Sequence, residues 1–156
     1  MLAFHHDPVQ NLSLTLEPGK TLGVIGPVGS GKTTLLYALL GELEKVSGTI
    51  DVRGSLSYAS QEPWILSETV RDNILFGTPY DEERYKTVIH ACALESDIAS
   101  FVAGHDTQIG ERGVTLSGGQ KARLSLARAV YRKASVYLLD DPLSAVDTKV
   151  RDVCVC

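Results

Sequence analysis

The chain has 156 residues, of which 44% are hydrophobic and 22% are charged, a balance typical of a globular protein with room for one packed domain. Its formal net charge of −4 argues against a general nucleic-acid binder, which usually carries a basic surplus. The sequence shows neither a run of about 18 apolar residues nor a signal peptide, and its three cysteines are too few for a disulfide framework, so we expect a reduced, intracellular setting.

The first third of the chain follows the order strand, glycine-rich loop, helix. The alternating residues 12–16 predict a strand with one exposed face, and the apolar run 21–26 predicts a strand buried on both faces of a parallel sheet. Leucines at helical spacing predict a helix over 32–43. Two short strands are expected over 48–54 and 55–60, where they could pair as a hairpin.

The middle of the chain is predicted to be helical. Ser67 is a suitable N-cap for one helix, and Asp81, followed by two glutamates, favours the start of another. A helix rich in arginine and lysine is expected from about 119 to 133, and residues 136–139 predict a second buried strand. The pattern indicates an α/β fold with a helical insert before this strand.

A phosphate-binding motif, G-x-x-x-x-G-K-[ST], lies between the predicted strand and helix of the first third. Its glycines let backbone N–H groups surround a phosphate, Lys32 adds positive charge for the β- and γ-phosphates, and the Thr33 hydroxyl can bind Mg²⁺. A glycine-rich turn without a ligand is the alternative, but the strand–loop–helix context favours phosphate. The predicted nucleotide-binding residues are Gly26, Pro27, Val28, Gly29, Ser30, Gly31, Lys32, Thr33 and Thr34.

Asp140 directly follows the second buried strand. A protein with a phosphate loop needs an acidic residue at the end of a neighbouring strand to hold Mg²⁺. The alternative is that Asp140 only begins a turn before Pro142. With the phosphate loop in the same chain, we expect Asp140 to be the metal carboxylate.

A second glycine-rich segment, LSGGQ, lies at residues 116 to 120. Ser117 and Gln120 have the spacing of a capping box for the basic helix. Gly118 and Gly119 in the first turn cost about 1 kcal/mol each relative to alanine, so bare amides at this terminus indicate another phosphate contact. The basic side chains of the helix are expected to form mostly a solvated face; they are Lys121, Arg123, Arg128, Arg132 and Lys133.

Taken together, the phosphate loop, Gln61 after a strand, LSGGQ, VYLLDD and SAVD resemble an ATP-binding cassette (ABC) ATPase domain. Finer detail in SYASQEPWILSETVRDNILFG and LLDDPLSAVD resembles the first such domain of the multidrug-resistance-associated exporters of the C subfamily. The resemblance covers residues 9 to about 150. It implies a P-loop NTPase fold with a mainly parallel core sheet, an antiparallel β part and a helical insert carrying the signature motif LSGGQ.

The resemblance further implies that residues 1–156 form a single, C-terminally incomplete domain, with a helical subdomain at about 67–125. It also implies that the final strands and the family's switch histidine are missing from this sequence. Lys32 and Thr33 would hold phosphate and Mg²⁺, and Asp140 and Gln61 would complete the metal site. The segment 109–113 resembles the part of the family that reports to the transmembrane helices.

The resemblance also implies a head-to-tail pair of domains, in which each signature covers the other domain's ATP. Ser117, Gly118, Gly119 and Gln120 would then contact the partner's ATP, and Asp147 would line that interface. The expected partners are this second domain and the transmembrane domains of a transporter, at the cytoplasmic face of a membrane and without nucleic acid. The expected ligands are ATP and Mg²⁺.

Two departures from the family's pattern concern catalysis and adenine binding. The catalytic base that follows the metal aspartate is usually glutamate, and here it is Asp141. A carboxylate one methylene shorter must either move or leave the attacking water about 1 Å out of place, and misplacement on that scale can cost roughly a hundredfold in rate. Phe4 is the only upstream candidate for stacking on adenine, and its spacing places it too close to the loop.

The expected function is therefore ATP binding and hydrolysis that powers export. One alternative is a regulatory ATP-binding site with little or no hydrolysis of its own, and another is a non-functional truncated fragment. A soluble cassette protein of translation or DNA repair would carry different inserts. The exported substrate does not follow from this sequence, because specificity in this family lies in the membrane portion.

Overall fold

A computed structural model describes residues 9–110 and 113–142 of the chain. They fall into two compact units, with the boundary between Arg53 and Gly54. The first unit contains one helix, α1, within residues 9–53. The second contains two strands and four α-helices within its described residues.

In the first unit, α1 spans Lys32–Leu40 and follows the phosphate loop directly. It ends three residues earlier than predicted because Gly41 adopts a left-handed conformation, with φ 80°. The Gly41 N–H donates to carbonyl groups of the last turn. The strands predicted over 12–16 and 21–26 are not formed, so that prediction is wrong. No ladder hydrogen bond joins these described residues, and Leu22 and Ile25 are 45% and 97% exposed.

The sheet of the second unit pairs β1, Leu56–Ala59, with β2, Val136–Leu139. The strands are parallel, with Leu56 opposite Val136 and Ala59 opposite Leu139. The strand predicted over 48–54 is not formed, so the hairpin that it could have made with 55–60 is also wrong. A parallel pair needs a long crossover, which the helices provide here. β2 was expected to be buried, but only Leu138 is, with Tyr137 and Leu139 39% and 37% exposed.

The crossover between the strands is helical. Its elements are α2 (Val70–Leu75), α3 (Glu82–Ala91), α4 (Glu95–Ser100), a 3₁₀ helix (Gly104–Asp106) and α5 (Gly118–Tyr131). Within the described part of the chain, α5 is the longest helix at 14 residues, and no helix is long and apolar enough to cross a membrane.

The caps of α2 and α3 differ in how well the sequence predicted them. Asp81 caps α3 as predicted, accepting from Arg84 N–H at 3.1 Å. The cap of α2 is Thr69 rather than Ser67, accepting from Asp72 N–H at 3.0 Å. The chain is still extended at 68–69, where Glu68 accepts from Ile109 N–H at 3.0 Å, so the helix begins later than predicted.

The hydrophobic core of the second unit lies where α2, α3 and α5 pack together. Its fully buried side chains include Val70, Ile74, Cys92, Ile109, Leu124 and Tyr131. Burying such a side chain stabilises the folded state by about 1.5–3 kcal/mol relative to leaving it exposed. This core holds the N-terminus of α5 and the end of β2, the two places where functional residues are predicted in this unit.

A buried guanidinium corrects the expectation of a solvated basic face on α5. Arg128 is 7% exposed and donates to Asn73 O at 2.8 Å, Asn73 Oδ1 at 2.7 Å and Trp64 O at 3.1 Å. It also stacks on the Trp64 ring, 3.8 Å from its centre. Burial lowers the pKa of Arg128 to about 10. Arg128 therefore joins α5 to the segment after Gln61.

Candidate functional site

The phosphate loop is a tight turn built on glycine conformations. Gly29 and Gly31 have φ of 83° and 88°, a left-handed region in which a side chain would be strained. Ser30 N–H closes the turn on Pro27 O at 3.2 Å. A Cβ at Gly26 would lie 2.6 Å from the Ser30 hydroxyl oxygen, so a side chain there would require Ser30 to move.

The start of α1 has the donors that an anion requires. Its N-cap is Gly31, which makes no side-chain capping bond. The first helical hydrogen bond runs from Leu35 N–H to Gly31 O at 2.9 Å, so the N–H groups of the preceding turn have no partner within the helix. Lys32 Nζ donates to Gly26 O and Pro27 O, each at 3.0 Å. The donor set fits a phosphate.

The carboxyl ends of β1 and β2 form a second cluster, in the second unit. Asp140 N–H donates to Ala59 O at 2.9 Å, which keeps the two strand ends together. Gln61 follows β1, and Gln61, Asp140 and Asp141 line one small cleft. The other residues of that cleft are Ala59, Ser60, Ala122, Ser125, Leu126 and Pro142. The carboxyl end of a parallel sheet is where α/β proteins usually bind ligands.

Asp140 has the features of a carboxylate suited to a cation. It is 6% exposed, and its Oδ2 is buried without a hydrogen-bond partner. A buried ionised oxygen without compensation is costly, and a cation would compensate it. Within residues 9–110 and 113–142, no three His, Cys, Asp or Glu side chains come together as a metal cage. Mg²⁺ is the cation that suits one or two carboxylates completed by phosphates and water.

Asp141 differs from its neighbour in exposure and backbone. It is exposed and has φ 48°, in the left-handed region where aspartate is found several times more often than most residues. The chain turns sharply here, between β2 and Pro142. The two adjacent carboxylates therefore have different environments, one buried at the strand end and the other at the mouth of the cleft.

The signature segment forms the predicted capping box at the start of α5. Gln120 N–H donates to Ser117 Oγ at 3.3 Å, and Ser117 N–H donates to Gln120 Oε1 at 2.9 Å. A Cβ at Gly118 would meet nothing within 4 Å. Packing among the described residues therefore does not require glycine there.

Some predicted residues lie outside the described residues. They are Asp147, Phe4, and Glu111 and Arg112 of the segment 109–113. Within that segment, a Cβ at Gly113 would collide with the carbonyl group of Gln108.

Sequence reasoning missed the burial of Arg128. A signal was available, because Leu124, Arg128 and Tyr131 recur at positions i, i+4 and i+7, which is one helix face. Leu124 and Tyr131 are 2% and 1% exposed, so that face is the core face. It also missed the pairing of Arg123 with Asp97, for which no local pattern exists.

A phosphate loop, parallel strands and a buried carboxylate at a strand end define the P-loop class of α/β nucleotide-binding proteins. The family model described as "ABC transporter" matches residues 9–144, so the chain belongs to the ABC transporter family. This confirms the predicted resemblance.

Relatives from several animals support the predicted branch. The chain is 55% identical over 152 residues to human "ATP-binding cassette sub-family C member 4", covering 95% of this chain and 12% of that protein. It is 58% identical over 142 residues to the fruit fly (Drosophila melanogaster) "Probable multidrug resistance-associated protein lethal(2)03659", covering 91% and 10%. For mouse "ATP-binding cassette sub-family C member 2" the identity is 53%, covering 91% and 9%. The chain thus spans about a tenth of these relatives.

Proposed function

We propose that the chain is the Mg-ATP-binding and ATP-hydrolysing module of an export transporter. The observation that carries the proposal is Asp140 Oδ2, which is buried without a hydrogen-bond partner at the carboxyl end of β2. Proteins with a phosphate loop hold Mg²⁺ with an acidic residue, and this buried oxygen can be that ligand. Membership in the ABC transporter family supports the same conclusion.

Each residue at the loop and the cleft has a chemical role in this proposal. The N–H groups at the start of α1 and Lys32 bind the β- and γ-phosphates, and Thr33, Asp140 and Gln61 supply the metal ligands. Mg²⁺, when bound, neutralises charge on the phosphates. Asp141 accepts the proton of the attacking water as general base.

We further propose that this domain works with a second one. Ser117, Gly118, Gly119 and Gln120 would cover the nucleotide held by that domain, and Asp147 would lie at the same interface. The open space at Gly118 supports an approach by phosphate. In a transporter, membrane-spanning domains would be the other partners, and the module would lie on the cytoplasmic side. The proposed domain spans residues 1–156, with a helical subdomain at about 67–125.

A regulatory site that binds ATP with little hydrolysis is the second candidate. It is favoured by Asp141, whose carboxylate is one methylene shorter than that of glutamate. A misplacement of about 1 Å can cost roughly a hundredfold in rate. ATP binding is common to both candidates, so the first experiment addresses binding.

The first test is thermal unfolding with and without ATP and Mg²⁺. At a ligand concentration about 100 times Kd, binding stabilises the folded state by about 2.7 kcal/mol, so Tm rises. We expect Lys32→Ala to abolish the rise and Asp140→Asn to abolish only the part that requires Mg²⁺. Lys45→Ala, an exposed lysine of the same unit, is the matched control and keeps the full rise. An unchanged rise in Lys32→Ala would contradict the proposal.

A further inference from the structure

The carboxylate of Asp97 connects α4 to the first two turns of α5. Asp97 is 8% exposed. Its Oδ2 accepts from Arg123 Nε at 2.7 Å, and its Oδ1 accepts from Arg123 Nη2 at 2.9 Å and from Gln120 Nε2 at 3.4 Å. Gln120 and Arg123 lie three residues apart and share one face of α5. The Asp97 side chain therefore holds both Gln120 and Arg123.

The Gln120 amide is held at both of its ends. Its oxygen accepts from the backbone N–H of Ser117 at 2.9 Å, and its nitrogen donates to Asp97. Turning the amide toward any other group breaks one of these bonds. The helix cap and the contact with α4 thus fix the same side chain in one orientation.

The Arg123 guanidinium is also fixed, by its two bonds to Asp97. Its side chain is 13% exposed and that of Asp97 is 10% exposed, and the two form a bidentate ion pair. Bidentate arginine–carboxylate pairs add geometric specificity to their energy. Removing one partner of a buried pair is strongly unfavourable, because the other charge is left uncompensated. Arg123 is thereby retained against α4, away from the glycines of the signature.

We propose that Asp97 is a positioning residue for the signature turn. It orients Gln120 and retains Arg123, so that Gly118 and Gly119 present their backbone N–H groups to the nucleotide of a second domain. Asp97 itself does not touch that nucleotide. The inference rests on the proposed function, because it takes the signature turn to meet a nucleotide phosphate.

The test compares three properties of the purified chain and its Asp97→Asn variant. They are binding of a fluorescent ATP analogue, Tm, and ATP-dependent association with a second copy by sedimentation. Asparagine replaces one carboxylate oxygen by an NH2 group, which cannot accept from Arg123, and it removes the negative charge. The bidentate pair is therefore lost, and the bond from Gln120 Nε2 becomes one between neutral groups. Hydrogen bonds to charged groups are worth enough that we expect about tenfold or more weaker association, with ATP binding unchanged within about twofold.

A charge-swapped variant separates positioning from simple structural support. In Asp97→Arg with Arg123→Asp, the ion pair is restored, but arginine only donates and cannot accept from Gln120 Nε2. We expect this variant to regain Tm without regaining association. Recovery of both properties would overturn the inference. The matched control is Glu82→Gln, which removes an exposed ion pair with Lys86 and should change nothing.

If Asp97→Asn does not fold, Asp97→Glu decides the question. Glutamate keeps the charge for an ion pair with Arg123, but its longer side chain moves the oxygen that accepts from Gln120 Nε2. We expect weakened association with ATP binding unchanged, and unchanged association would overturn the inference.

Absence of ATP-dependent association in the unmodified chain would count against the proposed pairing of domains, not against the role of Asp97. Hydrogen exchange then decides. The N–H groups of Ser117 and Gln120, which form the capping box, should exchange about tenfold faster in Asp97→Asn, in line with the loss of a charged hydrogen bond. Unchanged exchange would overturn the inference.

Discussion

The two units of the chain support their functional residues in different ways. Among residues 9–53 no residue is buried, and the phosphate loop takes its shape from the backbone conformations of Gly29 and Gly31. In the second unit, Asp140 and the N-terminus of α5 depend on a core around Ile74 and Leu124. A phosphate site made by backbone can be local in sequence, whereas a buried carboxylate needs packing by distant residues.

The largest expected effect tests the difference in packing between the units. Ile74→Ala removes a side chain that is fully buried, so we expect a loss of about 2–5 kcal/mol in the free energy of unfolding. Leu22 is 45% exposed, so folding buries less apolar area there. Leu22→Ala should therefore cost less than about 1 kcal/mol. Denaturant unfolding followed by circular dichroism measures both. Equal losses of unfolding free energy in the two variants would contradict the difference in packing between the units.

Catalysis offers the next test, since the proposed function assigns ATP recognition to the phosphate loop and the general base to Asp141. Asp141→Glu should raise the single-turnover rate of ATP hydrolysis, up to roughly a hundredfold if about 1 Å of misplacement is corrected. The affinity for ATP should not change, because the phosphate loop is untouched. An unchanged rate would contradict the geometric explanation, on which the regulatory candidate rests.

The buried guanidinium of α5 gives an effect of intermediate size. Arg128→Lys loses the planar group that bonds Asn73 and stacks on Trp64, and such a replacement is not conservative. We expect a loss of about 1–3 kcal/mol, since a buried carbonyl loses its donor. Fluorescence of Trp64, the single tryptophan of the chain, reports the unfolding. The control is Arg53→Lys, whose side chain is 90% exposed; a similar loss there would refute the assignment.

The smallest expected effect concerns the cap of α5. Ser117→Ala removes the side chain that accepts from Gln120 N–H, which should cost about 1 kcal/mol of stability. Thr87→Ala, an exposed position inside α3, should be neutral, because alanine is the better helix former. Thermal unfolding distinguishes them. Equal Tm values for the two variants would show that the cap contributes little.

Features set by a few adjacent residues were predictable from the sequence. The helix after the phosphate loop, the Asp81 cap, the Ser117–Gln120 capping box and strand 136–139 all follow from local patterns, and all are present. The alternation of 12–16 and the apolar run of 21–26 met the same kind of rule but formed no strands. A strand requires a partner, and no local pattern states which segment will pair with it.

Contacts between distant residues were not predictable for the same reason. β1 pairs with β2 across the whole helical segment, and Asp97 meets Arg123 only because α4 packs beside α5. In the candidate site, the motifs predicted that Asp140 and Gln61 would serve one ligand. That they line one cleft depends on the parallel register of the two strands.

A ligand that draws Lys32 away from the loop must replace its two bonds to the carbonyls of Gly26 and Pro27. The ammonium group already donates to two carbonyls, so a ligand that replaces them must hold the charge better than two neutral carbonyls do. Adenosine and AMP have no β- or γ-phosphate and cannot make that exchange, whereas the clustered negative charge of a triphosphate can. Under the proposed function, we therefore expect the loop to select ligands by the number of phosphates and not by the base.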